Sequence, residues 1–396
     1  MKKFKLVLFP TNLDELEKFV NSKYDLKNKL VISLNVDITT YCISNNLEFL
    51  LLKDLVNEEN FKKTDINNEL DIILKSNNFF VDKIQRKYYY HFKYMICHIL
   101  RNLLLANEIE KSLKKISFDK IYFFKSNYSL PYSRNNLNFF LNSILSNSFK
   151  DKLFKPYYNN MIIAISAILI QIIIRFKSIF FGIEFFLKKI TFKKYVKKSK
   201  IDDKKKILFF SAGRDFIFHS KLTSNSEFNS ICVKGSSIFN KESINNFKQI
   251  VNYNSILFDG FFKNYIDCKI KYKHMQVIFS NFKSFNSLEN NFKKLLLNYI
   301  LFRIFRDYEF INSTAHIIKK INPKIVFSSS LALPLISANL LGIKTISEFE
   351  GYGIEQNPMA PYIGDYIFSP SIYTDKMVKK YLPGDGEIIK SGAYYL

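Results

Sequence analysis

Short apolar runs of strand length alternate along this chain with longer stretches whose apolar residues recur every three or four positions. Among the first 150 residues the strand-length runs are 30–34 (LVISL), 49–52 (FLLL) and 121–124 (IYFF). A polar helical stretch at 37–46 and a helix-periodic stretch over 79–107 lie between them. From residue 205 the rhythm is clearer. Strands are predicted at 206–211 (KILFFS), 230–233, 255–258, 324–328 (KIVFS), 344–349 (KTISEF), 366–369 and 387–390. Helices are predicted at 288–320, 331–341 and 371–381, punctuated by Asn322-Pro323, Gly342 and Pro383-Gly384. One strand plus one helix in roughly 20–25 residues is the spacing of parallel-sheet units. The pattern therefore predicts an α/β chain of two Rossmann-like parallel-sheet domains, 1–160 and 205–396, although strand order cannot be read from one sequence.

Residues 161–204 break the rhythm and read as a linker. The run 161–174 (MIIAISAILIQIII) is interrupted only by Ser166 and Gln171. As a helix it reaches about 21 Å, short of the roughly 30 Å hydrocarbon core of a bilayer. Arg175 and Lys177 follow, then a second apolar stretch, 178–187 (SIFFGIEFFL), which carries Glu184. From Lys188 to Lys206 there are ten lysines and two aspartates, with Lys189, Lys193 and Lys197 four apart on one helical stripe. An apolar helix followed by a basic one fits peripheral binding at an anionic membrane surface. The alternative is a buried interdomain helix followed by a solvated charged linker.

Composition adds limits rather than a function. At 396 residues and 46.8 kDa, with 47% apolar and 24% charged residues, the chain is globular and long enough for two or three domains. Its formal charge of +24 favours an anionic partner. The excess of Lys, Asn, Ile, Phe and Tyr, all with A- and T-rich codons, accounts for part of that charge without any functional demand. Nucleic-acid binding is disfavoured. The 41 Phe and 24 Tyr sit mostly in apolar runs, and no RNP, KH, helix-turn-helix or zinc pattern is present. Cys42, Cys97, Cys232 and Cys268 lie far apart, and the five histidines form no ligand pattern, so no metal site is predicted. The apolar run 6–9 is too brief for a signal peptide, which predicts a cytoplasmic protein with reduced thiols.

Ligands of open parallel sheets bind beyond the carboxyl ends of the strands, and three loops there carry usable chemistry. After 206–211 comes a turn with Gly213 and Arg214, where a small residue admits a ligand to the backbone and a guanidinium can grip phosphate or carboxylate. It matches neither GxGxxG nor a Walker loop, and an exposed Arg–Asp pair in an ordinary turn is the competing reading. After 324–328 come Ser329 and Ser330 at a helix start, which suit an anion or simply cap the helix. After 344–349 comes Glu350-Gly351-Tyr352-Gly353. A carboxylate at a strand end beside glycines suits general-base work on a hydroxyl, and a solvated loop glutamate is the alternative.

The run INPKIVFSSSLALPLISANLLGIKTISEFEGYGIEQNPMAPYIGDYIFSPSIYTDKMVKKYLPGDGEIIKSG resembles the end of the acceptor-side Rossmann domain of GT-B glycosyltransferases, and more narrowly those of bacterial capsule and surface-polysaccharide (including lipopolysaccharide) assembly. The resemblance covers about 75 residues and rests on loose motifs: proline–strand–small-residue loop, Leu-Gly-Ile–strand, Gly-Asp-Tyr-Ile-Phe-Ser and a last strand with Ser-Gly. It implies a metal-independent transfer of sugar from a nucleotide-sugar donor to a hydroxyl of a lipid-linked or growing glycan, with no cofactor besides the donor. It further implies a role for Asp365 and Ser369 near the cleft. Where many relatives carry His-Gly this chain has Glu350-Gly351, leaving Glu350 as the base at the matching position. In the GT-B arrangement a second Rossmann domain grips the donor after this pattern. The expectation is therefore either that 1–200 and 205–396 form the two halves, or that the donor domain is lacking and the chain is a non-catalytic, membrane-associated remnant or scaffold.

Overall fold

The computed structural model describes residues 3–21, 28–56, 66–76, 83–124, 137–154, 160–191, 205–211, 220, 229–234, 247, 249–261, 263–328, 332–348, 363–369 and 386–390. These form an α/β protein with two sheets, all of whose strand pairs are parallel.

The first sheet holds β1 (Phe4–Phe9), β2 (Lys29–Ser33), β3 (Phe49–Leu51) and β4 (Phe118–Phe123), in the order β3-β2-β1-β4. Helices α1 (Leu13–Asn21) and α2 (Val36–Ser44) follow β1 and β2, and α3 (Leu52–Leu55), α4 (Ile66–Ser76) and α5 (Lys83–Leu113) precede β4. The start of α2 is set by Asn35, whose side chain accepts from the Ile38 amide at 2.9 Å, satisfying one of the donors a first helical turn leaves open. Leu8 and Val31 of the strands and the neighbouring Phe124 close a core with Leu16, Phe19, Ile38 and Cys42. Burial raises the Cys42 thiol to about 11, so it stays protonated and behaves as a small apolar group.

Helices α6 (Leu137–Ser148), α7 (Asn160–Arg175) and α8 (Lys177–Thr191) follow. The second sheet holds β5 (Lys206–Ser211), β6 (Asn229–Lys234), β7 (Gln249–Asn252), β8 (Ile325–Ser328), β9 (Lys344–Glu348), β10 (Tyr366–Ser369) and β11 (Glu387–Lys390). Its order is β11-β10-β9-β8-β5-β6-β7. Helices α9 (Tyr253–Gly260), α10 (Tyr272–Ser280), α11 (Lys283–Asn286) and α12 (Asn290–Ile321) connect β7 to β8, and α13 (Ala332–Leu340) connects β8 to β9. Alternating side chains of the strands fill two separate cores. Leu208, Phe210, Ile231, Val233 and Val326 pack with Ile256, Ile318 and Leu335 on one face. Phe209, Cys232, Ile250 and Phe327 pack with Phe247 on the other. Apolar contacts on both faces are why these strands read as continuous apolar runs.

Each sheet falls inside one of the two outer segments predicted from the sequence, but the compact units are interleaved. One unit comprises Met1–Asn77, Ile96–Ile172 and Ile270–Phe302, the other Asn78–Met95, Ile173–Lys269 and Arg303–Leu396. Three of the divisions lie inside helices α5, α7 and α12.

The strands differ from the sequence reading in two regions, at the start of the chain and around residues 249–260. Residues 255–258 are not a strand but part of α9, and the strand before them is β7. A short apolar run fits either element, and here Ile256 enters the sheet core while Leu257 and Phe261, four apart, are both buried. Strand β1 was not predicted, although it is central in its sheet. The predicted helix 371–381 lies outside the described residues, as do residues 192–204 of the lysine-rich stretch.

Candidate functional site

Both sheets share one topological feature. In each, the first three strands run outward to one side and the fourth returns to pair with the first, giving β3-β2-β1-β4 and, in the same sense, β7-β6-β5-β8. The chain thus reverses direction between β1 and β4 and between β5 and β8. At such a reversal the connections leave the two neighbouring strands toward opposite faces, which opens a crevice beyond their carboxyl ends. In the second sheet the segments that follow those two strands in sequence, both outside the described residues, are 212–219, which contains Gly213 and Arg214, and 329–331, which contains Ser329 and Ser330. Sequence reasoning named both loops without knowing that their strands are neighbours.

The carboxyl edge of this sheet is lined by small hydroxyl side chains. Ser328 is the register partner of Phe210 and Ser347, and Ser347 is the partner of Ile367. Register partners in a parallel sheet point to one face, as do residues two apart, so Ser328, Ser347 and Ser369 share a face on three adjacent strands. All three are buried. The sequence reading singled out Ser369 and missed Ser347, because only the register shows the row.

Asp365 lies at the other end of its strand. It directly precedes β10, at the amino-terminal edge of the sheet. There its Oδ2 accepts from the amide of Thr345 at 2.9 Å and from the Thr345 hydroxyl at 3.0 Å, while its own amide donates to Thr345 Oγ1 at 2.9 Å. This reciprocal pair ties the start of β10 to the start of β9. Glu350, Gly351 and Gly353, like Gly213, Arg214, Ser329 and Ser330, lie outside the described residues.

A second constellation had no sequence signal, because its two halves, Tyr88 with His91 and Arg303 with Asp307, are more than 200 positions apart. The hydroxyl of Tyr88 on α5 donates to Asp307 Oδ2 on α12 at 3.1 Å. Nε2 of His91 lies 3.3 Å from the same oxygen, and Nε of Arg303 lies 3.5 Å from Oδ1. Tyr88 and Asp307 are almost fully buried. Burial first, and the Asp307 carboxylate second, push the Tyr88 phenol well above its ordinary range, so it serves as a permanent donor. Nearby in sequence, Asn312 holds the turn 264–266: its Oδ1 accepts from the amides of Tyr265 and Ile266 at 2.8 and 2.9 Å, and its Nδ2 donates to the Ile266 carbonyl at 3.0 Å. Apart from Nδ1 of His91, which is buried with no hydrogen-bond partner among the described residues, and the exposed Arg303, these are satisfied, buried polar groups that hold elements of one unit together. Among the described residues no three His, Cys, Asp or Glu side chains converge as metal ligands.

Comparison with protein-family models, with curated proteins and with solved structures finds no match to this chain.

Proposed function

We propose that the protein is a GT-B-type glycosyltransferase that moves a sugar from a nucleotide-sugar donor to a hydroxyl of a surface glycan or its lipid-linked precursor. The observation that carries this reading is the strand order. Two parallel sheets in one chain each have a reversal between their first and fourth strands, and the segments containing Arg214 and Ser329-Ser330 follow in sequence the two strands that flank the second reversal. A nucleotide diphosphate suits such a crevice, where backbone amides of the loops and a guanidinium can meet its charge. Glu350, two residues beyond the end of β9 in sequence, is the proposed general base that takes the acceptor proton as the sugar–phosphate bond breaks. Two sheets of this kind also favour the arrangement in which the chain itself supplies both halves over a remnant that lacks its donor domain.

The test is a panel of UDP-, GDP-, dTDP- and CMP-linked sugars with the full chain, read by thermal shift and by release of the nucleotide. At least one donor is expected to raise the melting temperature. Arg214→Ala should weaken that binding, and Glu350→Gln should abolish turnover while keeping it. A complete absence of thermal shift and of nucleotide release across the panel refutes the proposal.

A further inference from the structure

Helix α8 is amphipathic in an unusual sense. One side is tied into its own unit and the other is a bare apolar arc. Phe181 and Phe185 are buried, and Phe185 meets Phe261 edge-on at 5.5 Å. Glu184 pairs with Arg306 of α12 at 2.6 Å and with Lys188 at 2.5 Å, and Lys189 pairs with Asp259 of α9 at 2.6 Å. The helix is therefore held in place. Yet Ile179, Ile183, Leu187 and Ile190, together with Phe180 and Phe186, are exposed, from 39% for Phe180 to 63% for Ile179. Placed at 100° per residue, these six and Phe176, also exposed, fall within an arc of about 120°. Every side chain within that arc is Ile, Leu or Phe.

A water-facing helix of a monomer does not ordinarily present such an arc, and a contiguous apolar stripe marks a surface that something covers. The charge beside it selects the occupant. Arg175 precedes the helix, and Lys188 and Lys189, already paired with Glu184 and Asp259, close it. The next residues, 193–200, add Lys193, Lys194, Lys197, Lys198 and Lys200 with no acidic residue among them. Bulky aliphatic and aromatic side chains without a hydrogen-bonding group, followed by a dense positive segment, match the boundary between acyl chains and anionic headgroups. No single helix among the described residues is long and apolar enough to cross a membrane, and only the bent pair α7–α8 together passes that test by length and composition; the side-by-side arrangement of apolar arc and positive charge on α8 matches a helix lying in the interface. Helix α7, in the other unit, carries its own exposed stripe of Ile165, Ile168, Leu169 and Ile172.

We propose that the exposed face of α8 is a docking surface for an anionic bilayer, into which Ile179, Ile183, Leu187 and Ile190 insert, the net positive charge of the sequence after the helix favouring anionic headgroups. This does not rest on the glycosyl-transfer reading, and either can fail without the other.

The chain has no tryptophan, so Ile183→Trp places a single reporter on the arc of the full-length protein. With vesicles of phosphatidylcholine and phosphatidylglycerol at low salt, its emission should shift to the blue and be quenched by lipids brominated on the acyl chains. Pure phosphatidylcholine, or high salt, should cut binding at least tenfold. Flotation of the unlabelled protein should fall at least tenfold in Ile183→Glu/Leu187→Glu, whose exposed positions leave the melting temperature unchanged. Reversal of Lys193, Lys194, Lys197 and Lys198 to Glu should have a comparable effect with the arc intact. Unshifted and unquenched emission, wild-type flotation of the double-Glu variant, or lipid-independent self-association that the double-Glu variant abolishes would each overturn the proposal.

Discussion

Replacing Asp365 with alanine separates a residue that serves the sheet from one that serves a ligand. Thr345 is fully buried, and the mutation removes the acceptor for both its amide and its hydroxyl. Leaving a buried donor unsatisfied costs about 1–3 kcal/mol each. Asp365 itself is only half-buried, so water reaches part of the gap, and a total of about 2–3 kcal/mol is expected. For a unit of this size each kcal/mol moves the melting temperature by roughly 2–4 °C, which gives a loss of about 4–12 °C. Asp365→Asn keeps a neutral acceptor and should lose about 1 kcal/mol, since charge-assisted bonds are roughly twice as strong. Thr345→Val should cost a similar amount. The double variant should be more stable than the sum of the singles by about 1 kcal/mol, because the pair shares one network. Thermal melting and donor binding, measured on the same preparations, decide the matter. If Asp365→Ala melts within 1 °C of wild type, the reasoning fails. If it also loses donor binding, the carboxylate belongs to the ligand.

Three further outcomes follow from contacts within the same unit. A Cβ at Gly260 would lie 2.2 Å from the carbonyl oxygen and 2.7 Å from the Cα of Ser313, so Gly260→Ala must displace backbone. It should lower stability by about 1–3 kcal/mol or more, well beyond Gly182→Ala, where the obstacle is the ring edge of Phe261; equal melting temperatures for the two variants would contradict this. Asn312→Leu, nearly isosteric, strands three backbone groups and should cost about 2–5 kcal/mol, with faster proteolysis at 263–267 as the second readout. Glu309 has its carboxyl raised above 4.5, first by burial and then by Asp267, with Lys177 opposing. Its native state therefore binds the proton more tightly than the unfolded chain, and it loses stability as pH rises from about 4.5 through the folded value. Glu309→Gln should melt above wild type at pH 7, with the gap closing toward pH 4; a gap that widens toward acid would show the opposite sign.

Most strands of the second sheet were legible because buried parallel strands are uniformly apolar and of strand length. KILFFS and YIFS match β5 and β10 residue for residue. The run SILF misled for the same reason: four residues are too few to distinguish a buried strand from one buried turn of helix. Strand order was not legible, since pairing β5 with β8 depends on where a chain more than 110 residues later returns. The same holds for the cluster around Asp307 and for the serine row, both products of register and packing rather than of local pattern. Gly213, Arg214, Ser329 and Ser330 could be singled out from the sequence because composition is local, whereas the adjacency of the strands that precede them came only from the topology.

The interleaving of the two units has a consequence for biosynthesis. The first sheet is complete once residue 123 has been made, but the unit that contains it also needs Ile270–Phe302. At about 5–20 residues per second, Met1–Asn77 waits roughly 10–45 s on the ribosome for those partners. During that interval Phe139, which rests against Phe292 at 5.2 Å in the finished fold, has no such neighbour. A nascent chain this rich in phenylalanine, held open for so long, is a natural client for chaperones, and its yield should depend more on their supply than on its final stability.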